Sequence, residues 1–433
     1  MSSLDVIVVG GGIAGLAAAG RLVQAGRTVA LLEARPRLGG RVHTIVDSET
    51  GHTVELGAEF LQGRPKPLLE ILNKAGVGLY EVPERHERSP AGSRRQFPDV
   101  EQLVERLLGS APDRRDIPVD QLIRERADGF TPGELEAIRG YLEGFHAADL
   151  QRFGTAALAE NQSAEAEDSE SLFRIVGGYG RLVKHLARGL DSEKADVRTG
   201  TVVTHVEWRP GLVEIEAQAE NGRLVRLSAA QAILAVPLNI LKVARGQTGA
   251  FFPHPLPEGW PAALERLEMG AAQHIVLRFD RPWWMKPGRQ APVFMHGRGE
   301  RFPVWWTSSP PESLFLTGWA GGPRAATLAG HTVEQLIPLA LHSAASIFGR
   351  PAEQLARDLR AAYSYDWTTD PYIRGGYSYG RVGAAQAREV LRLPVENTLF
   401  LSGEALGEEG RNATVPGALT SGLGSADAVL RSY

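Results

Sequence analysis

The sequence predicts a protein of mixed α/β and α+β class. Three observations predict it: a strand, glycine turn, helix, strand succession within the first 32 residues; charge-rich helical patterns between residues 64 and 170; and alternating apolar residues from Ala195 onward. At 433 residues the chain is too long for one compact core, and about 150 residues per domain gives two or three.

Each element follows from its residues. Val6 to Val9 is a short all-apolar run, the pattern of a strand buried on both faces. Ile13 to Ala25 is alanine-rich with helical period and stops at Gly26, and Thr28 to Leu32 is a second buried strand. From Arg64 to about Glu170, helical patterns such as Leu103 to Leu108 and Glu134 to Leu150 alternate with proline and glycine breaks, which predicts a helical insertion. VRTGTVVTHVEWRPGLVEIEAQAENGRLVRL then alternates apolar and polar residues, with turns at Pro210-Gly211 and Asn221-Gly222, and predicts a small antiparallel sheet. The region to about residue 390 mixes strands such as His274 to Phe279 with a helix near Val333 to Phe348, and it carries most of the tryptophans. Leu399 to Leu401 is another buried strand and Thr420 to Leu430 a closing helix.

Composition narrows the function classes. A net charge of -4 provides no broad positive field, so no nucleic-acid partner is expected. With no cysteine the chain forms no disulfide, offers no thiolate nucleophile and makes no cysteinyl bond to a cofactor. The start MSSLDVIVVGGG lacks the basic flank and cleavage site of a signal peptide, and no stretch of about 18 apolar residues spans a bilayer. The expectation is a soluble, cytoplasmic protein with no membrane partner, its oligomeric state open.

Gly10, Gly12 and Gly15 give G-x-G-x-x-G between the first strand and helix. The first permits a tight turn, the second lets backbone approach a pyrophosphate, and the third lets helix and sheet pack closely. Glu33 ends the second strand, where a carboxylate accepts hydrogen bonds from ribose hydroxyls and repels a 2′-phosphate. A dinucleotide follows, although the glycines do not separate NAD from FAD. In LLEARPRLGGRVHT, Gly39 and Gly40 sit beside Arg41, a cation able to hold pyrophosphate oxygens.

That run, the ELGAEF stretch and the segment LFLSGEALGEEGRNATVPGALTSGLGSA together resemble the flavin-containing amine oxidases, a family that includes monoamine oxidases, polyamine oxidases and histone lysine demethylases. The resemblance is strongest over residues 5–63, 174–242, 264–284 and 366–430. It implies a doubly wound, Rossmann-like FAD domain that is discontinuous (1–63, 171–236 and 391–433), interleaved with a mixed sheet-and-helix substrate domain (237–390) and the helical insertion (64–170). It further implies FAD, which the absence of cysteine makes non-covalent, held by the residues already named and by Ala34, Arg35, Gly57, Ala58, Glu59, Val203, Gly403, Glu404, Thr414 and Val415. Glu404 matches the residue that binds the ribityl chain. A helix starting just after Val415 would stabilise the negative charge of a reduced flavin with its positive end.

The activity implied is oxidation of an amine: hydride passes to flavin N5, the imine hydrolyses, and molecular oxygen reoxidises the flavin to give hydrogen peroxide. The amine must arrive neutral, and desolvation between aromatic rings favours that form. Tyr377 in DPYIRGGYSYG matches a position beside the flavin; Trp306 in PVWWTSS and, more weakly, Trp319 are further candidate walls. If Trp305 and Trp306 share a strand, they face opposite sides. Where the family carries a lysine that holds a water against N5, MGAAQHIVLRF places His274, a group that titrates near neutrality, and this puts fast oxygen reactivity in question. The identity of the amine stays open; acidic residues such as Glu143 and Asp149 in the helical insertion could meet a second positive charge on it, but acidic residues on helices are mostly solvated surface. Two other classes share the FAD domain: a carbon–carbon desaturase or porphyrinogen-type oxidase, and a flavin-bound module without turnover.

Overall fold

The computed structural model describes residues 4–83, 85–88, 95–96, 98–109, 115–167, 171–243, 257–285, 294–307, 313–408 and 410–432; Glu170, the expected end of the helical insertion, lies outside them. The chain opens with strand Leu4–Val9, helix Ile13–Gln24 and strand Val29–Leu32, and the two strands pair in parallel from Val6 with Val29 to Val9 with Leu32. Sterics fix the glycines between them. Gly10 has φ +107°, a region that side chains disfavour, and a Cβ there would lie 2.4 Å from the Ala235 carbonyl oxygen. A Cβ on Gly15 would lie 1.9 Å from the Gly10 oxygen, so the helix can sit on its turn only because Gly15 lacks a side chain.

This unit belongs to a seven-stranded sheet ordered 195–198, 29–32, 4–9, 224–234, 212–219, 201–209, with 399–401 pairing on 224–234. The alternating strands after residue 200 turn where the sequence places the turns, yet they do not form a separate small sheet. Strand Leu224–Leu234 is 11 residues long. Its first half pairs antiparallel with Leu212–Ala219, while its second half runs parallel to Leu4–Val9 and Leu399–Leu401. One long strand therefore splices the hairpins onto the parallel sheet. Helix Val415–Arg431 closes over the first helix, where a Cβ on Gly422 would lie 2.2 Å from the Ala14 oxygen.

A second seven-stranded sheet is ordered 359–363, 272–279, 315–321, 304–307, 294–296, 86–88, 95–96, and its core includes residues of helix Val333–Phe348. Trp305 packs into that core with no exposure, and its neighbour Trp306 emerges on the other face with Phe294 and Val82, as strand alternation requires. The segment from 64 to 167 holds five α-helices among the described residues but also three short strands. Strand His86–Arg88 joins the second sheet beside Phe294–His296, and Leu79–Val82 pairs with Leu172–Ile175. Two- to four-residue strands carry too little period to stand out from helical surroundings. Helix Pro132–Phe145 begins on a Thr131–Glu134 capping box and ends at Phe145 rather than near Leu150, because Ala147 takes φ +50°. Among the described residues no helix is long and apolar enough to cross a membrane.

Candidate active site

A single cavity of about 1410 Å³ runs between the two sheets. It exceeds the ~300–1,000 Å³ of an ordinary small-molecule cleft and has room for a dinucleotide together with a substrate. Every candidate site residue from the sequence lines it except Gly15, whose part is the helix–turn packing described above.

At one end lie Gly10, Gly12, Glu33, Ala34, Arg35 and Val203. The first helix starts at Gly12 with no side chain capping it, so its first-turn amides are left to whatever occupies the cavity. Glu33 is buried, and its two oxygens accept the Gly11 amide at 2.7 Å and the Arg35 amide at 2.9 Å. Arg35 forms an ion pair with Asp370 and lies near the faces of Trp367 and Tyr372, 6.0 and 5.7 Å from their centroids. Burial pushes the Asp370 carboxyl up, but hydrogen bonds from Tyr365 and Arg35 outweigh it and hold the group below its ordinary range.

In the middle, Gly39 and Gly40 take φ +106° and +58°, and Arg41 Nη1 donates to Glu404 at 2.7 Å and to the Gly376 carbonyl at 2.9 Å. The other Glu404 oxygen accepts the Ser378 hydroxyl at 2.6 Å and the Ala413 amide at 3.0 Å. Gly57 must be small, since a Cβ there would lie 1.9 Å from the Arg41 oxygen. The last helix points its N-terminus at the cavity: Thr414 accepts the Gly417 amide at 3.0 Å, Pro416 has no N–H, and the Val415 amide is left over.

The far end is an aromatic wall. His274 and Trp319 sit opposite each other on paired strands and stack at 6.1 Å; Trp319 also stacks on Tyr377 at 6.4 Å and meets Trp306 at 6.0 Å. Phe60 completes it, 5.4 Å from Trp306. The polar hydrogens of these rings are engaged by the protein itself. Trp306 Nε1 donates to Glu59 at 3.1 Å, Trp319 Nε1 to the Gly144 carbonyl at 3.3 Å and the Tyr377 hydroxyl to the Phe145 carbonyl at 2.6 Å. His274 Nε2 bonds the Glu55 carbonyl at 2.9 Å, and since a carbonyl only accepts, that nitrogen carries the proton. Burial lowers the imidazole pKa, against the smaller opposing effects of the Glu55 hydrogen bond and the Glu59 charge. Burial likewise raises the Tyr377 phenol. Glu59 lies at the base of this wall and pairs with Arg174 at 2.6 Å, whose guanidinium covers Phe60.

The sequence reading passes over Phe60, Arg174, Trp367, Asp370 and Tyr372, of which all but Arg174 and Asp370 line the cavity. Phe60 stands inside ELGAEF and had a signal in its neighbours; Arg174 reaches Glu59 from 115 positions away, a proximity no local pattern encodes. Of the two acidic residues read as surface, Glu143 lines the cavity and burial raises its carboxyl pKa, whereas Asp149 does not line it.

Residues 13–430 match the family described as flavin containing amine oxidoreductase. Polyamine oxidase 2 of Arabidopsis thaliana is 30% identical over 465 aligned positions, covering 98% of this chain and 88% of that protein. Lysine-specific histone demethylase 2 of Homo sapiens is 26% identical over 98% of this chain, which spans only 53% of it. In structure, a putrescine oxidase bound to putrescine superposes with a TM-score of 0.82 over 99% of both chains at 22% identity, a likeness of fold.

Proposed function

The chain belongs to the flavin containing amine oxidoreductase family, and from that premise we propose that it binds FAD without a covalent link and oxidises an amine to an imine, using oxygen as the final acceptor. The observation that supports this most is the continuity of one cavity from the open glycine turn to the aromatic wall. FAD fits the residues at its nucleotide end: an uncapped helix start at Gly12 for the pyrophosphate, Glu33 for the ribose hydroxyls, Arg41 and Glu404 in the middle, and the Val415 amide at the end of a 17-residue helix. The absence of cysteine speaks for a non-covalent complex. Bound FAD supplies an acceptor for hydride from the carbon next to the amine nitrogen and passes the electrons to oxygen as hydrogen peroxide.

The chain's own residues then bind, orient and dry the amine. Tyr377, Trp319 and Trp306 offer π faces, which attract a cation and exclude water. Their fixed hydrogen bonds to Phe145, Gly144 and Glu59 hold the rings in place before the substrate arrives. Removal from water lowers the pKa of the bound ammonium, so the reactive neutral amine becomes accessible near pH 7. Glu143, whose carboxylate accepts no hydrogen bond among the described residues and which lines the cavity, suits a second cationic or N–H-bearing group on the substrate. The test is anaerobic addition of a panel of mono- and diamines to the yellow holoprotein. Loss of flavin absorbance with at least one amine is expected; no bleaching by any amine, with bleaching by a carbon-acid substrate, would replace this reading with the desaturase one.

A further inference from the structure

The aromatic wall is unusual in what it does not offer. The N–H and O–H groups of Trp306, Trp319, Tyr377 and His274 all have acceptors within the protein, at 3.1, 3.3, 2.6 and 2.9 Å. What the wall presents to the cavity is therefore electron-rich: π faces and lone pairs. Among these the strongest base is a nitrogen of His274. Its Nε2 is held as a donor by the Glu55 carbonyl, so in the neutral ring Nδ1 is the lone-pair nitrogen, on a side chain that is 5% exposed and lines the cavity.

We propose that His274 Nδ1 takes the proton that the substrate ammonium must lose before its oxidation. This rests on the amine oxidation proposed above. The N–H bond of the ammonium breaks and its electron pair stays on the amine nitrogen. The proton forms an Nδ1–H bond, Nε2–H remains on the Glu55 carbonyl, and nothing is oxidised or reduced. The positive charge moves from substrate to imidazole without leaving the cavity, so no net charge is desolvated by the transfer itself. The charged groups whose fields reach the ring favour its protonated form. They are Glu59 on the 57–60 loop, tempered by Arg174 on its own strand, while the Glu55 carboxyl turns away to Thr44 and the Tyr179 amide. Trp319, stacked on the ring from the paired strand, and Tyr377, stacked in turn on Trp319, bring no charge. Burial keeps the resting imidazole neutral, the state a proton acceptor needs. A lysine here would present N–H donors and a like charge to the same ammonium.

The test uses holoenzyme and separates this role from placement or folding. A positioned general base is worth roughly 10²–10⁴ in rate. Anaerobic stopped-flow reduction of His274→Gln, with the amine that bleaches the wild type fastest, should be at least about 100-fold slow at pH 7. The gap should close above about pH 10, where an alkylamine arrives already neutral. A deficit of the same size at every pH, or reduction at the wild-type rate with only the oxygen step changed, overturns the proposal while leaving amine oxidation standing. No bleaching of wild-type flavin by any amine sinks the functional reading instead. The wild type alone carries a second test by flavin difference spectra. tert-Butylamine, which has N–H groups but no hydrogen on the carbon beside nitrogen, should bind at least about tenfold tighter than tetramethylammonium, which has no N–H to give to Nδ1. Equal affinities, including failure of both to perturb the spectrum, overturn the proposal.

Discussion

Replacing Glu33 by alanine tests the nucleotide end most sharply, because the structure shows two separate bonds failing at once. Its carboxylate accepts the Gly11 amide at 2.7 Å and the Arg35 amide at 2.9 Å from a buried position. Hydrogen bonds to a charged acceptor contribute about 1.5–3 kcal/mol each. Gly11 lies between Gly10 and Gly12 in the turn, and Arg35 carries the ion pair to Asp370, so both sides of the cradle loosen together. A lost ribose contact adds a third bond of the same class. Some of this loss falls on the stability of the apoprotein rather than on affinity. FAD affinity is expected to fall by about 1.5–3 kcal/mol, or roughly 10- to 150-fold in Kd. Titration of apoprotein with FAD, followed by quenching of flavin fluorescence, measures it. Glu33→Gln, which keeps one carbonyl acceptor, should fall between wild type and alanine. If Glu33→Ala binds FAD with wild-type affinity, the ribose is not held there and the assignment of that end is wrong.

Arg41→Ala removes the donor to Glu404 and to the Gly376 carbonyl, leaves a buried carboxylate with Ser378 and Ala413 alone, and should lower FAD affinity by about 1.5–3 kcal/mol; full flavin content at unchanged Kd would contradict this. Acid or heat precipitation should release all the flavin into the supernatant, and colour retained by the pellet would mean a covalent link. Tyr377→Ala should slow anaerobic flavin reduction at least tenfold while leaving reoxidation of reduced enzyme by oxygen near the wild-type rate, with the reverse pattern counting against its place in the wall. Burial raises the Glu55 carboxyl pKa from 4.5 to about 7, so the native state binds more protons than the unfolded one over that window. Stability should therefore be full below about pH 4.5 and decline by about 3 kcal/mol as pH rises through 7. Glu55→Gln, whose amide can meet both Thr44 and the Tyr179 N–H, should abolish most of that slope in melting curves between pH 5 and 8; an unchanged slope would place its origin elsewhere.

What could be read in the sequence was whatever a local rule enforces. Gly10 and Gly15 are dictated by contacts under 2.5 Å at the turn itself, and Glu33 by its place at the end of a buried strand. Adjacency on one strand is enough to put Trp305 and Trp306 on opposite faces. Contacts assembled from afar stayed hidden. The tautomer of His274 depends on a carbonyl 219 positions away, and Arg35 finds Asp370 across most of the chain. The Glu134 pattern continued past the true helix end because nothing in the sequence marks Ala147 for positive φ. Glu143 looked like helix surface since a helical wheel cannot know that its exposed face borders an internal cavity.

The central claim, that one cavity brings an amine on an aromatic wall to a flavin, is tested most directly by the crystal structure of the holoprotein soaked with tert-butylamine. The account predicts non-covalent FAD along Gly12, Glu33, Arg41 and Val415, with the amine nitrogen between the flavin and the faces of Tyr377 and Trp319, within hydrogen-bond reach of His274 Nδ1. FAD seated elsewhere, or the amine bound away from that wall, would contradict it.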